Sequence, residues 1–169
     1  MRQINPEHIG ALLELINQGP YFELLSMKVC ELKTGYARVE VDLQNKHRSP
    51  FGILHGGVYS SVIDTAAYWS VYCELDEHIG YTSIDLSINN LSMIREGKII
   101  VEGKSIKIGH SICLAEASAK DASGKLLAHG TSKLMILDGK QSIANAVESM
   151  GYKSLPPKLI ELICDVSYE

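Results

Sequence analysis

The stretch that decides the fold runs from residue 55 to residue 75, HGGVYSSVIDTAAYWSVYCEL. From Gly56 to about Leu75 it has helical length and few strand-like alternations. Val58, Val62, Ile63, Ala66, Ala67 and Val71 leave it apolar and small on most sides, the composition of a helix wrapped by other structure. One residue breaks that character. From Ser49 to Cys73, Asp64 alone carries a certain charge, and it follows the His55 of a His-Gly-Gly by nine positions. A carboxylate kept in an apolar helix needs a partner or a task.

Outward from that helix, the flanks read as strands. Tyr36 to Leu43 alternates cleanly, with Ala37, Val39, Val41 and Leu43 on one side and Arg38, Glu40 and Asp42 on the other, as in a half-buried antiparallel strand. Residues 26–32 form a strand before it, with Lys33-Thr34-Gly35 as the turn, and Asn45 to Leu54 is a loop. After Gly80 come four strand-like runs: Thr82–Leu91 with Ile84, Leu86 and Ile88 inward, Ile99–Ile108, Ser111–Lys120, and Leu126–Leu137 across an Asp121-Ala122-Ser123-Gly124 turn. Asn5-Pro6 opens an N-terminal helix that Gly19-Pro20 stops. In the last thirty residues, Ser142–Met150 reads as a short helix closed by Gly151. Pro156-Pro157 opens a second, with Leu159, Ile160, Leu162 and Ile163 as its apolar face. The fold class is therefore α+β, an antiparallel sheet burying one long helix, with residues 1–138 as the domain and 139–169 as a C-terminal helical extension.

The totals exclude several function classes. A chain of 169 residues with 46% hydrophobic and 21% charged residues has the composition of one globular domain rather than a disordered chain. Twenty acids against sixteen bases, without a basic run, give no electrostatic case for nucleic acid. No apolar run approaches the length of a membrane span, and Pro6-Glu7 interrupts any signal peptide. Cys30, Cys73, Cys113 and Cys164 are scattered, none at metal-ligand spacing, so no metal is expected; reduced thiols suit a cytoplasmic location.

Gly56-Gly57 stands at a predicted helix N-terminus, where backbone N–H groups lack intrahelical partners and the helix dipole is positive. Without side chains there, an electrophilic carbonyl can approach the Gly56 amide. The alternative is a tight entry turn with no further role. Asp64 is either a nucleophile or general base, or one half of a structural ion pair across an interface. Eight residues separate Gly56 from Asp64, about 12 Å along a helix, so both cannot touch one reacting carbonyl from the same helix. If both are catalytic, Asp64 meets the Gly56 of another subunit across a two-fold axis.

His55-Gly56-Gly57 with Asp64, followed by Thr82-Ser83-Ile84-Asp85-Leu86 opening the next strand, resembles the hotdog-fold thioesterases of the phenylacetic-acid-pathway type; the resemblance runs from about Tyr21 to Leu137. It implies a sheet of about six strands around the helix, a homodimer or homotetramer, and an acyl-coenzyme A substrate with no separate cofactor. It implies that the Gly56 amide polarises the thioester carbonyl and that Ser83 helps hold the water or the acid; otherwise Ser83 is an outward strand residue in the parity class of Asp85 and Ser87. His55 would contact the thioester or pantetheine, or fix the loop. Ser49 stands where the family commonly carries an Asn, and is shorter. Gly109, His110 and Ser111 fall where the family's strand edge approaches the coenzyme, with Lys104, Lys107 and Arg95 as candidate phosphate partners. Tyr68, Trp69 and Tyr72 are available to the acyl pocket or belong to the core. The tail covers a dimer, narrows the acyl tunnel, binds a partner, or is packing alone. Beside hydrolysis stand a non-catalytic acyl-CoA sensor and a hotdog hydratase, the latter disfavoured because no His follows His55 in the helix.

Overall fold

The computed structural model describes residues 2–161. A short strand β1 (Arg2–Ile4) leads into α1 (Pro6–Asn17), where Asn5 Oδ1 accepts the Glu7 N–H at 3.1 Å and Pro6 takes the first helical position. Gly19 ends that run as expected, but the chain re-enters helix at once as α2 (Pro20–Leu25). Strands β2 (Met27–Lys33) and β3 (Tyr36–Asp42) form a hairpin through Gly35 at φ +68°. A 3-10 turn at Asn45–His47 leads to the long helix α3 (Gly56–Ser70), and a second one at Tyr72–Glu74 follows it. Then come β4 (Ile79–Asn90), β5 (Lys98–Lys107), β6 (Ile112–Asp121) and β7 (Leu126–Asp138), the helix α4 (Ile143–Ser149) and a strand β8 (Leu159–Glu161).

Strands β2-β3-β5-β6-β7-β4 make one antiparallel sheet in that order, curved around α3. This is the hotdog architecture. Val62, Ile63, Ala66 and Ala67 of α3 are fully enclosed, facing inward residues such as Val39, Val101, Ala115 and Ala128. Each large aliphatic buried this way contributes about 1.5–3 kcal/mol. Small residues set the spacing: a Cβ at Gly103 would overlap the Ala66 carbonyl, so the helix backbone lies directly on β5. Among the described residues, no helix is long and apolar enough to cross a membrane.

Two sequence expectations need correction. Ile84 does not face inward; it is 49% exposed, whereas Leu86 and Ile88 stand opposite the buried Ser132 and Gly130 of β7 and keep the inward face. The register of β4 against β7 slips between Ser83 and Asp85, and that bulge at Ile84 shifts the inward parity, from Tyr81 and Ser83 before it to Leu86 and Ile88 after it. The second correction concerns the tail. The first expected helix exists as α4, but Leu159 and Ile160 lie in strand β8, paired antiparallel with β1, and not on a helix. The expected helical residues Leu162 and Ile163, like Cys164, lie outside the described residues.

Lys158 anchors this returning segment. It is 2% exposed, its Nζ donates to the carbonyls of Tyr72 and Leu75 at 2.6 Å each, and it sits 3.8 Å over the Tyr72 ring. It thus satisfies backbone acceptors just past the C-terminal end of α3, where a cation complements the helix dipole. His8 bonds the Tyr72 hydroxyl and the Pro156 carbonyl, both at 2.6 Å, closing the clasp from the side of α1.

Candidate active site

The N-terminus of α3 is built by two histidines. His47 is buried: its Nδ1 accepts the Gln44 N–H at 2.9 Å and its Nε2 donates to the Leu25 carbonyl at 2.8 Å. Burial pushes its pKa down, which keeps the ring neutral and matches that donor and acceptor pattern. The His47 carbonyl accepts the His55 N–H at 2.9 Å, fixing the loop that enters the helix. His55 is the N-cap, and its Nδ1 accepts the Gly57 N–H at 2.9 Å. Of the two roles expected for His55, the structure displays loop fixation; the ring is exposed, and with Nδ1 committed its Nε2–H is available. Gly57 has its amide occupied internally. Gly56 does not: no acceptor is bonded to its N–H among the described residues. Gly56 lines a cleft of about 560 Å³ with Ile53, Tyr59, Asn90 and Met93, and Lys125 stands on its border.

Asp64 lies two turns further along α3, half-buried, and accepts a hydrogen bond of 2.8 Å from Ser83 Oγ at its Oδ1. The bulge after Ser83 explains the contact. It puts Ser83 on the same face as the buried Tyr81 while Asp85 points out to Lys133, so Ser83 is not an outward strand residue. Among the described residues Asp64 has no salt-bridge partner, which removes the structural ion pair within one protomer. Tyr68, one turn beyond, donates to the Tyr81 carbonyl at 3.2 Å, and burial raises its pKa to about 12.

Ser49 sits in the tight turn that precedes the helix. Its N–H donates to Ile53 O at 2.7 Å and its carbonyl accepts the Gly52 N–H at 2.9 Å. Its Oγ is buried without a hydrogen-bond partner among the described residues, while the Ile53 that its backbone bonds lines the Gly56 cleft. A buried hydroxyl left unpaired costs about 1–3 kcal/mol.

Gly109, His110 and Ser111 form the β5–β6 turn next to Glu74, Leu75 and Asp76. That is the opposite end of α3 from Gly56; fifteen helical residues span about 22 Å. A Cβ at Gly109 would overlap the Ile112 carbonyl, so the turn itself requires glycine. The acidic neighbours suit a phosphate poorly. The structure therefore unites Asp64 with Ser83, leaves Ser49 in the turn before the helix without lining the Gly56 cleft, and keeps 109–111 apart from Gly56 in one protomer. His47, which no sequence pattern singled out, fixes the helix entry.

The profile of the thioesterase superfamily matches residues 51–128, from the Ser49–Gly52 turn through the hairpin into β7. A candidate esterase of Saccharolobus solfataricus is 31% identical over 119 residues, covering 70% of this chain and 84% of that protein. A 1,4-dihydroxy-2-naphthoyl-CoA hydrolase of Listeria monocytogenes is 26% identical, covering 62% of this chain and 85% of its own length. Acyl-coenzyme A thioesterase 13 of Mus musculus is 22% identical, covering 72% and 89%. In structure, a thioesterase of Haemophilus influenzae superposes with a TM-score of 0.71 at 19% identity, over 76% of this chain and 90% of that one.

Proposed function

The chain belongs to the thioesterase superfamily, and from that membership we propose that it is an acyl-coenzyme A thioesterase of the phenylacetic-acid-pathway type. Water is activated by Asp64, or the Asp64 carboxylate attacks the thioester carbonyl directly and water then releases the acid. The carbonyl oxygen gains negative charge and takes the Gly56 N–H, and the coenzyme leaves as its thiol. The observation that carries this reading is the Ser83–Asp64 hydrogen bond of 2.8 Å, which orients an acid that has no ion-pair partner among the described residues. Two relatives are named for CoA thioesters, which supports that substrate class.

The two catalytic groups come from different protomers in this proposal. Eight residues of one continuous helix keep Gly56 about 12 Å from Asp64. Strand β4 supplies a means of pairing: it is an edge of the sheet, twelve residues long, with Ile84 and Leu86 exposed. Such an edge is a template for a second copy. Antiparallel β4–β4 pairing about a two-fold axis brings two α3 helices side by side and sets each Asp64 toward the other protomer's amide. A homodimer is the minimal working unit, and a homotetramer would double it. Cys30 is a free, exposed thiol, in keeping with a reducing, cytoplasmic setting.

The test is thiol release from a panel of acyl-CoAs by wild type and Asp64→Asn. Turnover by wild type that collapses in the variant supports the assignment. Turnover surviving the substitution removes Asp64 from its role, and tight binding without turnover by wild type favours an acyl-CoA sensor, for which the unpaired Ser49 hydroxyl is the one supporting feature.

A further inference from the structure

We infer that the C-terminal extension is the end wall of the acyl pocket, and that α4 sets the largest acyl group the site accepts. The inference rests on the thioesterase reading for the identity of the ligand, and on the following geometry for its place.

A cavity of about 360 Å³ lies between the C-terminal half of α3 and the extension. Tyr68, Trp69, Tyr72 and Tyr81 supply the wall from the fold. Gln141, Ile143 and Ala146 supply the opposite wall, so nearly half of the enclosure comes from beyond the sheet. The rings interlock: Tyr68 meets Tyr81 at 4.4 Å between centroids, and Trp69 meets Tyr68 and Tyr72 edge-on at 5.3 and 5.7 Å. An apolar group entering this space meets aromatic surface on one side and, on the other, Ile143 and Ala146 set among the polar Gln141, Ser142 and Asn145.

Asp64 does not itself line the cavity, but the cavity's first wall residue on α3 is one turn away. Tyr68 is four residues further along the same helix, on the same face and about 6 Å down the axis. Tyr81 precedes Ser83, the Asp64 partner, by two residues on the inward face of β4. A thioester carbonyl held at Asp64 thus has its acyl chain directed along Tyr68 toward α4. The volume is about that of a dozen water-sized groups at liquid density, so an acyl group of roughly that many heavy atoms would fill it.

The chain path places α4 there. After β7, Gly139 (φ 64°) and Gln141 (φ 54°) turn the backbone sharply, and Gly80 has no side chain where the Lys140 carbonyl crosses it. Ser142 and Asn145 then close a reciprocal capping box that starts the helix. Further along, Lys158 and the β8–β1 pairing hold the returning segment in place. This wall lies outside the stretch the superfamily profile matches.

The test uses the full chain and two variants in α4. Ala146→Phe fills the cavity and Ile143→Ala enlarges it. kcat/KM is measured for acetyl-, hexanoyl-, phenylacetyl-, decanoyl- and palmitoyl-CoA. Wild type is expected to fall off beyond the decanoyl group. In Ala146→Phe the ratio of phenylacetyl- to acetyl-CoA activity should drop at least tenfold; in Ile143→Ala the limit should move to the longer chain. Loss spread evenly over the panel in both variants, or an unmoved length limit, overturns the inference. Should wild type hydrolyse none of these, the thioesterase reading fails separately, and the pocket is read by binding. Trp69 is the chain's single tryptophan and lines the cavity, so the thioether phenacyl-coenzyme A should change its emission saturably. That change should weaken at least tenfold in Ala146→Phe; emission indifferent to the probe in wild type also overturns the inference.

Discussion

Replacing Lys158 with Met tests the clasp that holds the extension against α3. Burial lowers the Lys158 pKa from 10.5 to about 8, while Cys73, Glu77 and Asp76 pull it the other way. In the unfolded chain the same amine titrates near its ordinary value of about 10.4. Below pH 8 both states hold the proton, and the folded state bears the full cost of the buried charge, about 3 kcal/mol from a shift of roughly 2.5 units. Between pH 8 and 10.5 the unfolded state binds a proton that the folded state has released. Stability therefore rises with pH in that window. From pH 7.5 to 9.5 the lysine should add about 2 kcal/mol, or about 4–8 °C in Tm for a chain of this size. The buried tyrosines act in the opposite sense at high pH, since Tyr59 and Tyr68 are raised to about 12 and Tyr72 and Tyr81 are raised as well. They are common to both proteins and cancel in the difference. The assay is urea unfolding of wild type and Lys158→Met at matched protein concentration, at half-unit steps of pH. Wild-type stability minus variant stability should climb by about 2 kcal/mol across the window. A flat or falling difference would refute the placement of this amine.

Three further substitutions have defined outcomes. Ser83→Ala removes the bond to Asp64 and should lower kcat about ten- to hundredfold while moving KM little, measured by thiol release. Gly103→Ala sets a methyl group against the Ala66 carbonyl; the helix and β5 must part by roughly 1 Å, and unfolding should show a loss of about 3 kcal/mol or more. Tyr81→Phe deletes a buried hydroxyl that has no hydrogen-bond partner among the described residues, so the variant should match or exceed wild-type stability in the same unfolding assay.

Much of this architecture was legible in the sequence because burial writes a period into the chain. The alternation of Ala37, Val39 and Val41 gave β3, and the small apolar surface of Val62, Ile63, Ala66 and Ala67 gave the enclosed helix. Asp64 announced itself as a charge with no local reason. What the sequence hid was mostly non-local. The bulge after Ser83 interrupts no pattern of residue types, since Ile84, Leu86 and Ile88 continue the alternation, so Ser83 read as outward when it faces Asp64. Strand β8 pairs residues 159–161 with residues 2–4, and three-residue strands carry too few periods to be told from the start of a helix after Pro156-Pro157. The six-residue α2 is too short to show a face of its own. His47 looked like a loop polar residue because both its partners, Gln44 and Leu25, are backbone groups.

The central claim is that each site draws its amide and its acid from different protomers, and subunit complementation reaches it most directly. Gly56→Pro deletes the amide hydrogen at a first helical position that tolerates proline, after an N-cap already extended at φ −72° and ψ 133°. Asp64→Asn deletes the acid. Each variant alone should be nearly inactive. Unfolded together in equal amounts and refolded, half the dimers are mixed, and each mixed dimer holds one site with both groups intact. Thiol release should then recover to about a quarter of wild type. A mixture as inactive as its parents would place both groups in one chain and contradict the account.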